Sequence, residues 1–259
     1  MRTLASALLV VLACAAVAAD DQPGPVPFRV RTWFFEDVRE LLIPGEAVYA
    51  IASRGATADP VFSQEKFAIA LEELAAVDLE GVHKTIVLST YEDLQLVIAD
   101  LPEDITAIAY NTERGMTPMD EFTHLDEWLP KFADLCHEHG RIMTWGPTHH
   151  MLTRNPGLFQ LAAHCDGMGL QHQRPLQNDG LEAFVALTRE RAELIHGINP
   201  DCAVTVQVVL ERTPAEAAIP ALASVADCVD VLGAWTMRDR AGLRELLEGL
   251  RPFRQNRLP

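Results

Sequence analysis

Asn111 and Glu113 follow an apolar run, Ile105 to Tyr110, and carry the most evident chemistry in the chain. Residues two apart on an extended chain point the same way. An amide and a carboxylate are therefore delivered together. Gln171 and Gln173 repeat that spacing further on, Gln207 lies inside another apolar run with Glu211 just beyond it, and Trp145 and Trp235 end two more. Arg54 follows the run at 48–53. Amides, carboxylates and an arginine make paired hydrogen bonds to hydroxyls, and tryptophan offers a flat apolar face for a sugar ring. Two carboxylates from different places, Glu113 and Glu211, can act as acid and base, or as acid and nucleophile, in glycoside hydrolysis. Arg54, Asn111, Trp145, Gln171, Gln173, Gln207 and Trp235 are then the candidates that position the substrate.

Each residue also has a plainer role open to it. Glu113 could simply pair with Arg114 or Arg54. Glu211 precedes Arg212 and Thr213-Pro214, so it could be a helix-start charge. Trp145 and Trp235 could be core. Gln207 must find a partner when buried. His172, between the two glutamines, points away from them. His149-His150 raises a metal-dependent hydrolase as a third reading, but neighbours on an extended chain face opposite sides, and no HExxH is present. No cofactor is implied. No GxSxG, no GxxxxGK[ST] and no GxGxxG after the first strand occurs, which removes the main support for serine-hydrolase and nucleotide-binding readings.

Apolar runs alternating with amphipathic stretches must position these residues. Strands are predicted at 48–53, 85–88, 105–110, 141–145, 167–173, 203–210 and 228–235, with 28–35 as a possible eighth. Helices are predicted at 63–77, 91–99, 117–139, 155–163, 180–197, from Thr213-Pro214 onward, and at 241–250, with a helical turn at 36–42. Thr117 is the expected N-cap of its helix and Pro118 the first helical residue. Apolar strands alternating with helices make a parallel sheet covered by helices. The expected architecture is α/β, a (β/α)8-type barrel that is irregular or seven-stranded near its start. A doubly wound open sheet is the alternative. In a barrel all the candidate residues meet at one mouth, the carboxyl ends of the strands.

The chain has 259 residues, 49% of them hydrophobic, enough for one barrel at 28–259. Net charge is −16, from 37 acidic against 21 basic residues, which disfavours nucleic acid or an anionic membrane as partner. Residues 1–19 read as a signal peptide: Arg2, an apolar run to Ala18, and the small-x-small Ala16-Val17-Ala18. A lipoprotein anchor at Cys14 is a weaker alternative. Residues 20–27, with three prolines, read as an extended tether. The expected location is secreted or periplasmic. Cys136, Cys165, Cys202 and Cys228 remain after the leader. An even number in an exported chain suggests disulfides, and neighbouring barrel units would pair Cys136 with Cys165 and Cys202 with Cys228. Buried free thiols are the other possibility.

Tyr110-Asn111-Thr112-Glu113, with Thr117-Pro118 soon after, resembles a recurring pattern in secreted bacterial proteins: an aromatic, Asp or Asn, any residue, Glu, then a Thr-Pro helix start. The Gln171-His172-Gln173 strand end and the Gln207 strand are similar too, so the resemblance runs from about 48 to 250. Those proteins are glycosidase-like TIM barrels of unestablished activity. The resemblance implies the fold more than any substrate. Asn111, where Asp is often found, leaves that position a binding role. Two functions follow as expectations: a secreted glycoside-hydrolase-like enzyme, or a barrel that binds a sugar or other polar ligand without cleaving it.

Overall fold

The computed structural model describes residues 27–31, 34–54 and 61–254. The leader and nearly all of the tether lie outside the described residues. Eight parallel strands close into a barrel in simple order. They are β1 (Phe28–Arg31), β2 (Ala47–Ile51), β3 (His83–Leu88), β4 (Ile105–Tyr110), β5 (Ile142–Trp145), β6 (Gly167–Gln171), β7 (Ala203–Val209) and β8 (Val231–Trp235). β1 is short, yet it pairs with both β2 and β8 and so closes the ring. The 28–35 run therefore supplies the eighth strand over Phe28–Arg31, with Phe35 already in a 3-10 turn, and the open sheet is excluded.

The outer ring holds α1 (Gln64–Ala75), α2 (Tyr91–Val97), α3 (Met119–Thr123), α4 (Leu125–Glu138), α5 (His149–Arg154), α6 (Gln173–Ile198), α7 (Ala215–Ala223), α8 (Arg240–Gly249) and α9 (Arg251–Arg254). Short 3-10 turns at Phe35–Asp37 and Arg39–Leu41 replace the expected turn at 36–42, and Pro156–His164 is 3-10 throughout. The helix expected at 180–197 begins earlier, at Gln173, and bends at Gly180, whose φ of 85° is open to glycine.

Period-two alternation divides the strands into two faces. Val48, Ala50, Ile86, Leu88, Ile108, Tyr110, Met143, Val204, Val206 and Leu232 are buried in the main core between barrel and helices. The opposite set, with Tyr49, Ile51, Val87 and Ala109 as its apolar part, forms a separate small cluster. Large side chains therefore fill the outer layer. The inner layer includes Ala109, Gly169 and Gly233, so the interior keeps room for a cavity.

All four described cysteines are free thiols, against the expected disulfides. Cys165 Sγ donates to Leu161 O at 3.4 Å and Cys228 Sγ to Val225 O at 3.2 Å, so each thiol is satisfied within its own turn. Burial pushes the Cys136 and Cys165 thiols well up, and the Cys202 thiol up to about 12. No helix among the described residues is long and apolar enough to cross a membrane.

Candidate functional site at the barrel mouth

The strand ends enclose a cavity of about 360 Å³, within the usual range for small-molecule sites. Asn111, Glu113, Trp145, Gln171, Gln173, Gln207 and Trp235 all line it. Glu113 is its one carboxylate among the described residues. The lining also includes Arg29, Tyr49, Met116, Thr144, Thr205 and Arg212, which were not among the candidates. The signal for Arg29 and Tyr49 was present: Phe28 and Val30, or Val48 and Ala50, take the outward face, so the residues between them turn inward.

Glu113 is held by its own loop. Gly115 turns the chain with φ 88°. Met116 N and Thr117 N donate to Glu113 O at 3.0 and 2.9 Å, and Glu113 N donates to Thr117 Oγ1 at 3.1 Å. Thr117 Oγ1 in turn donates to Asn111 O at 3.4 Å. The Thr117 hydroxyl is thus engaged in the loop. It does not cap α3, which starts at Met119 after Pro118 without a side-chain cap. Asn111 Nδ2 donates to Glu113 Oε1 at 3.3 Å, so the amide orients one carboxylate oxygen.

The four amides are placed differently. Gln207 Oε1 accepts from the Tyr49 hydroxyl at 2.7 Å, from β2 across to β7. Gln171 Nε2 reaches Gly146 O at 3.4 Å. Gln173 is already helical, because β6 ends at Gln171, yet it still reaches the cavity. Its Oε1 is buried with no protein partner.

Three candidates sit elsewhere or act otherwise. Arg54 is not in the lining. Its Nε lies 2.9 and 3.1 Å from the two oxygens of the fully buried Asp93, and Nη2 lies 2.7 Å from both Asp93 and Glu92. Those carboxylates belong to the first turn of α2, so Arg54 ties β2 to that helix. Glu211 also lies outside the lining. Its Oε1 accepts from Thr236 Oγ1 at 2.7 Å, from Arg238 N at 2.9 Å and from Met237 N. These bonds outweigh partial burial and hold its carboxyl below the usual range. Trp145 is fully buried on the outer face, where its indole Nε1 donates to Thr112 Oγ1 at 3.0 Å. It contributes wall, and only Trp235 remains as a half-buried aromatic platform.

The histidines begin a helix rather than sitting on a strand. His149 Nδ1 and His172 Nε2 each lie against Arg191 Nη1, at 3.1 and 2.9 Å. Arginine has no acceptor, so both nitrogens must accept. His172 Nδ1–H then donates to Thr188 Oγ1 at 2.9 Å. Burial and the Arg191 charge push both histidines below their usual range. Both ring nitrogens of His149 have partners, Nδ1 at Arg191 and Nε2 3.3 Å from Thr153 Oγ1, and the described residues contain no cluster of three or more ligands suited to a metal.

A second groove, of about 880 Å³, opens beside the mouth and shares Glu113 with it. Arg114, Thr148, His150 and Arg154 line it with Phe122, Leu158 and others.

No family model matches the chain, and no curated protein matches it. Solved structures do. GH5_18 from Bifidobacterium longum subsp. infantis shares 13% identity at a TM-score of 0.64, over 90% of this chain and 80% of that one. A GH5_18 variant from Streptomyces cattleya in complex with Manβ1-4GlcNAc shares 14% at 0.59, over 86% and 75%. A xylanase–α-amylase inhibitor protein in complex with trehalose shares 12% at 0.56, over 86% and 98%. At these identities the likeness is one of fold. The chain is a closed (β/α)8 barrel of the kind found in glycoside hydrolases, and in an inhibitor protein as well.

Proposed function

We propose that this protein binds a glycan at the barrel mouth without the paired-carboxylate chemistry of a glycosidase. The observation that carries this reading is the unequal fate of the two glutamates. Glu113 faces the cavity, whereas Glu211 is engaged by three donors at 236–238. Hydrolysis by the usual route needs two carboxylates flanking one bond, about 5–10 Å apart. Amides, one carboxylate and one tryptophan face suit hydroxyl recognition instead. The solved structures with Manβ1-4GlcNAc and trehalose support a saccharide ligand in a barrel of this fold. Glu113 lies where mouth and side groove meet, so an oligosaccharide would cross it in passing from one to the other. The leader read from 1–19 makes the protein exported.

Glu113 hydrolysing a substrate as a single acid is the second reading. Asn111 favours it by orienting Oε1 and leaving Oε2 open. The test is a glycan array probed with wild type, Glu113→Gln and a mouth-blocking variant, Gly169→Leu. Binding by wild type and loss in Gly169→Leu support the mouth as the site. Equal binding by both would place any glycan elsewhere.

A further inference from the structure

Arg29 on β1 is a charged group low in the cavity lining, its register partner Ala47 lying two residues before Tyr49 on β2. Arg29 is half-buried, and the buried arginines among the described residues are provided for. Arg31 pairs with Glu73, Arg54 with Asp93 and Glu92, and Arg254 with Glu46. Arg191 has its histidines and Thr153. Arg29 has no carboxylate partner among the described residues. Its guanidinium lies over the Tyr49 ring, 4.6 Å from the centroid, and Nε is buried with no protein partner. Burial presses its pKa down, opposed in part by the Tyr49 phenol. An aromatic face offsets the desolvation of a guanidinium only in part. A guanidinium that lines a cavity with no carboxylate beside it among the described residues is open to an anionic group of a ligand.

Two further polar atoms of the same lining, Thr144 Oγ1 and Gln173 Oε1, are also buried without a protein partner. The side chains around the floor are small or short: Ala109, Gly169 and Thr205. A Cβ on Gly169 would meet only Trp145 O at 3.6 Å and Gly146 Cα at 3.8 Å, which is ordinary contact. The net charge of −16 repels anions at long range. The approach itself carries the opposite sign. Arg212 lines the mouth, and Arg114 and Arg154 line the groove beside it, against Glu113 and Asp126.

We infer that the mouth selects an acidic sugar, its carboxylate seated on the Arg29 guanidinium at the cavity floor and its hydroxyls on Gln173 and Thr144. A planar fork matches a carboxylate in two parallel hydrogen bonds. Because Arg29 lies at the closed end, the acidic residue enters first and is a chain terminus. This rests on the glycan reading above and adds the charge and the end of the ligand.

The test is calorimetric titration of the full chain with glucuronate and galacturonate, glucose and galactose, galactose 6-sulfate, and the non-sugar carboxylates succinate and benzoate. Wild type should bind a uronate at least ten-fold more tightly than its neutral counterpart. Arg29→Gln should lose that preference, Arg29→Lys should keep part of it, and unliganded Arg29→Gln should melt no lower than wild type. Equal binding of acidic and neutral sugars by wild type overturns the inference and leaves the glycan reading standing, and this arm needs no variant. Uronate preference unchanged in Arg29→Gln overturns it too. Arg29-dependent binding of succinate or benzoate with no sugar bound keeps the anion seat and removes the glycan reading. Preference for the sulfate over the uronates replaces the carboxylate with a sulfate ester. No binding by any probe removes both readings.

Discussion

The Tyr49 hydroxyl donates to Gln207 Oε1 at 2.7 Å, joining β2 to β7 through the barrel interior. These strands are not neighbours in the sheet, so the bond belongs to the cavity and not to the barrel wall. Burial pushes the Tyr49 hydroxyl up to about 12, so it remains a donor at neutral pH. It also fixes the Gln207 amide, leaving Nε2 to donate to a ligand. Tyr49→Phe should cost about 1 kcal/mol of stability. It should also weaken ligand binding by freeing Gln207. Urea unfolding beside a binding titration checks both. Unchanged affinity would mean that Gln207 does not touch the ligand.

Glu211 is predicted to be a structural residue. Glu211→Ala removes the common acceptor of Thr236, Met237 and Arg238 and should cost about 1–2 kcal/mol, with faster proteolysis near 236–238. A catalytic carboxylate would behave otherwise. Its loss would abolish turnover and leave the melting temperature unchanged.

Arg54 and Asp93 form a buried pair that holds β2 to α2. Asp93→Ala should cost about 3–5 kcal/mol, as expected when one partner of such a pair is removed. Chemical denaturation measures this directly. A loss of ligand affinity without loss of stability would return Arg54 to the binding site.

Acid should weaken the fold through His149 and His172. Both are held neutral beside Arg191, with pKa values below the ordinary value of about 6.5. The unfolded chain takes up protons first as pH falls. Their contribution is complete above about 6.5 and is lost as pH falls through that value toward the depressed ones. Glu121 and Glu73, whose carboxyls are raised mainly by burial, act in the opposite sense. His172→Gln can still accept from Arg191 and donate to Thr188 without titrating. Its melting temperature should fall less between pH 7.5 and 5.5 than that of wild type. An identical fall would remove His172 from the account.

The barrel was legible because strand alternation and helix periodicity are local. β4 ended at Tyr110 as expected, and α1 and α8 lay close to their expected places. What the sequence could not show was where a side chain finds its partner. Arg54 met Asp93, nearly forty residues away, and Glu211 met a loop after the next strand. Gln173 reached the cavity although the strand rule that suggested it had already ended. Arg29 is readable from Phe28-Arg29-Val30, but its lack of a carboxylate partner among the described residues emerges only when the barrel is assembled.

Product analysis after prolonged incubation with the glycan that binds most tightly tests the central claim most directly, with Glu113→Gln as control. A binding barrel with one mouth carboxylate predicts an intact glycan from both proteins. Cleavage by wild type that disappears in Glu113→Gln would contradict it and make Glu113 the acid of a hydrolase.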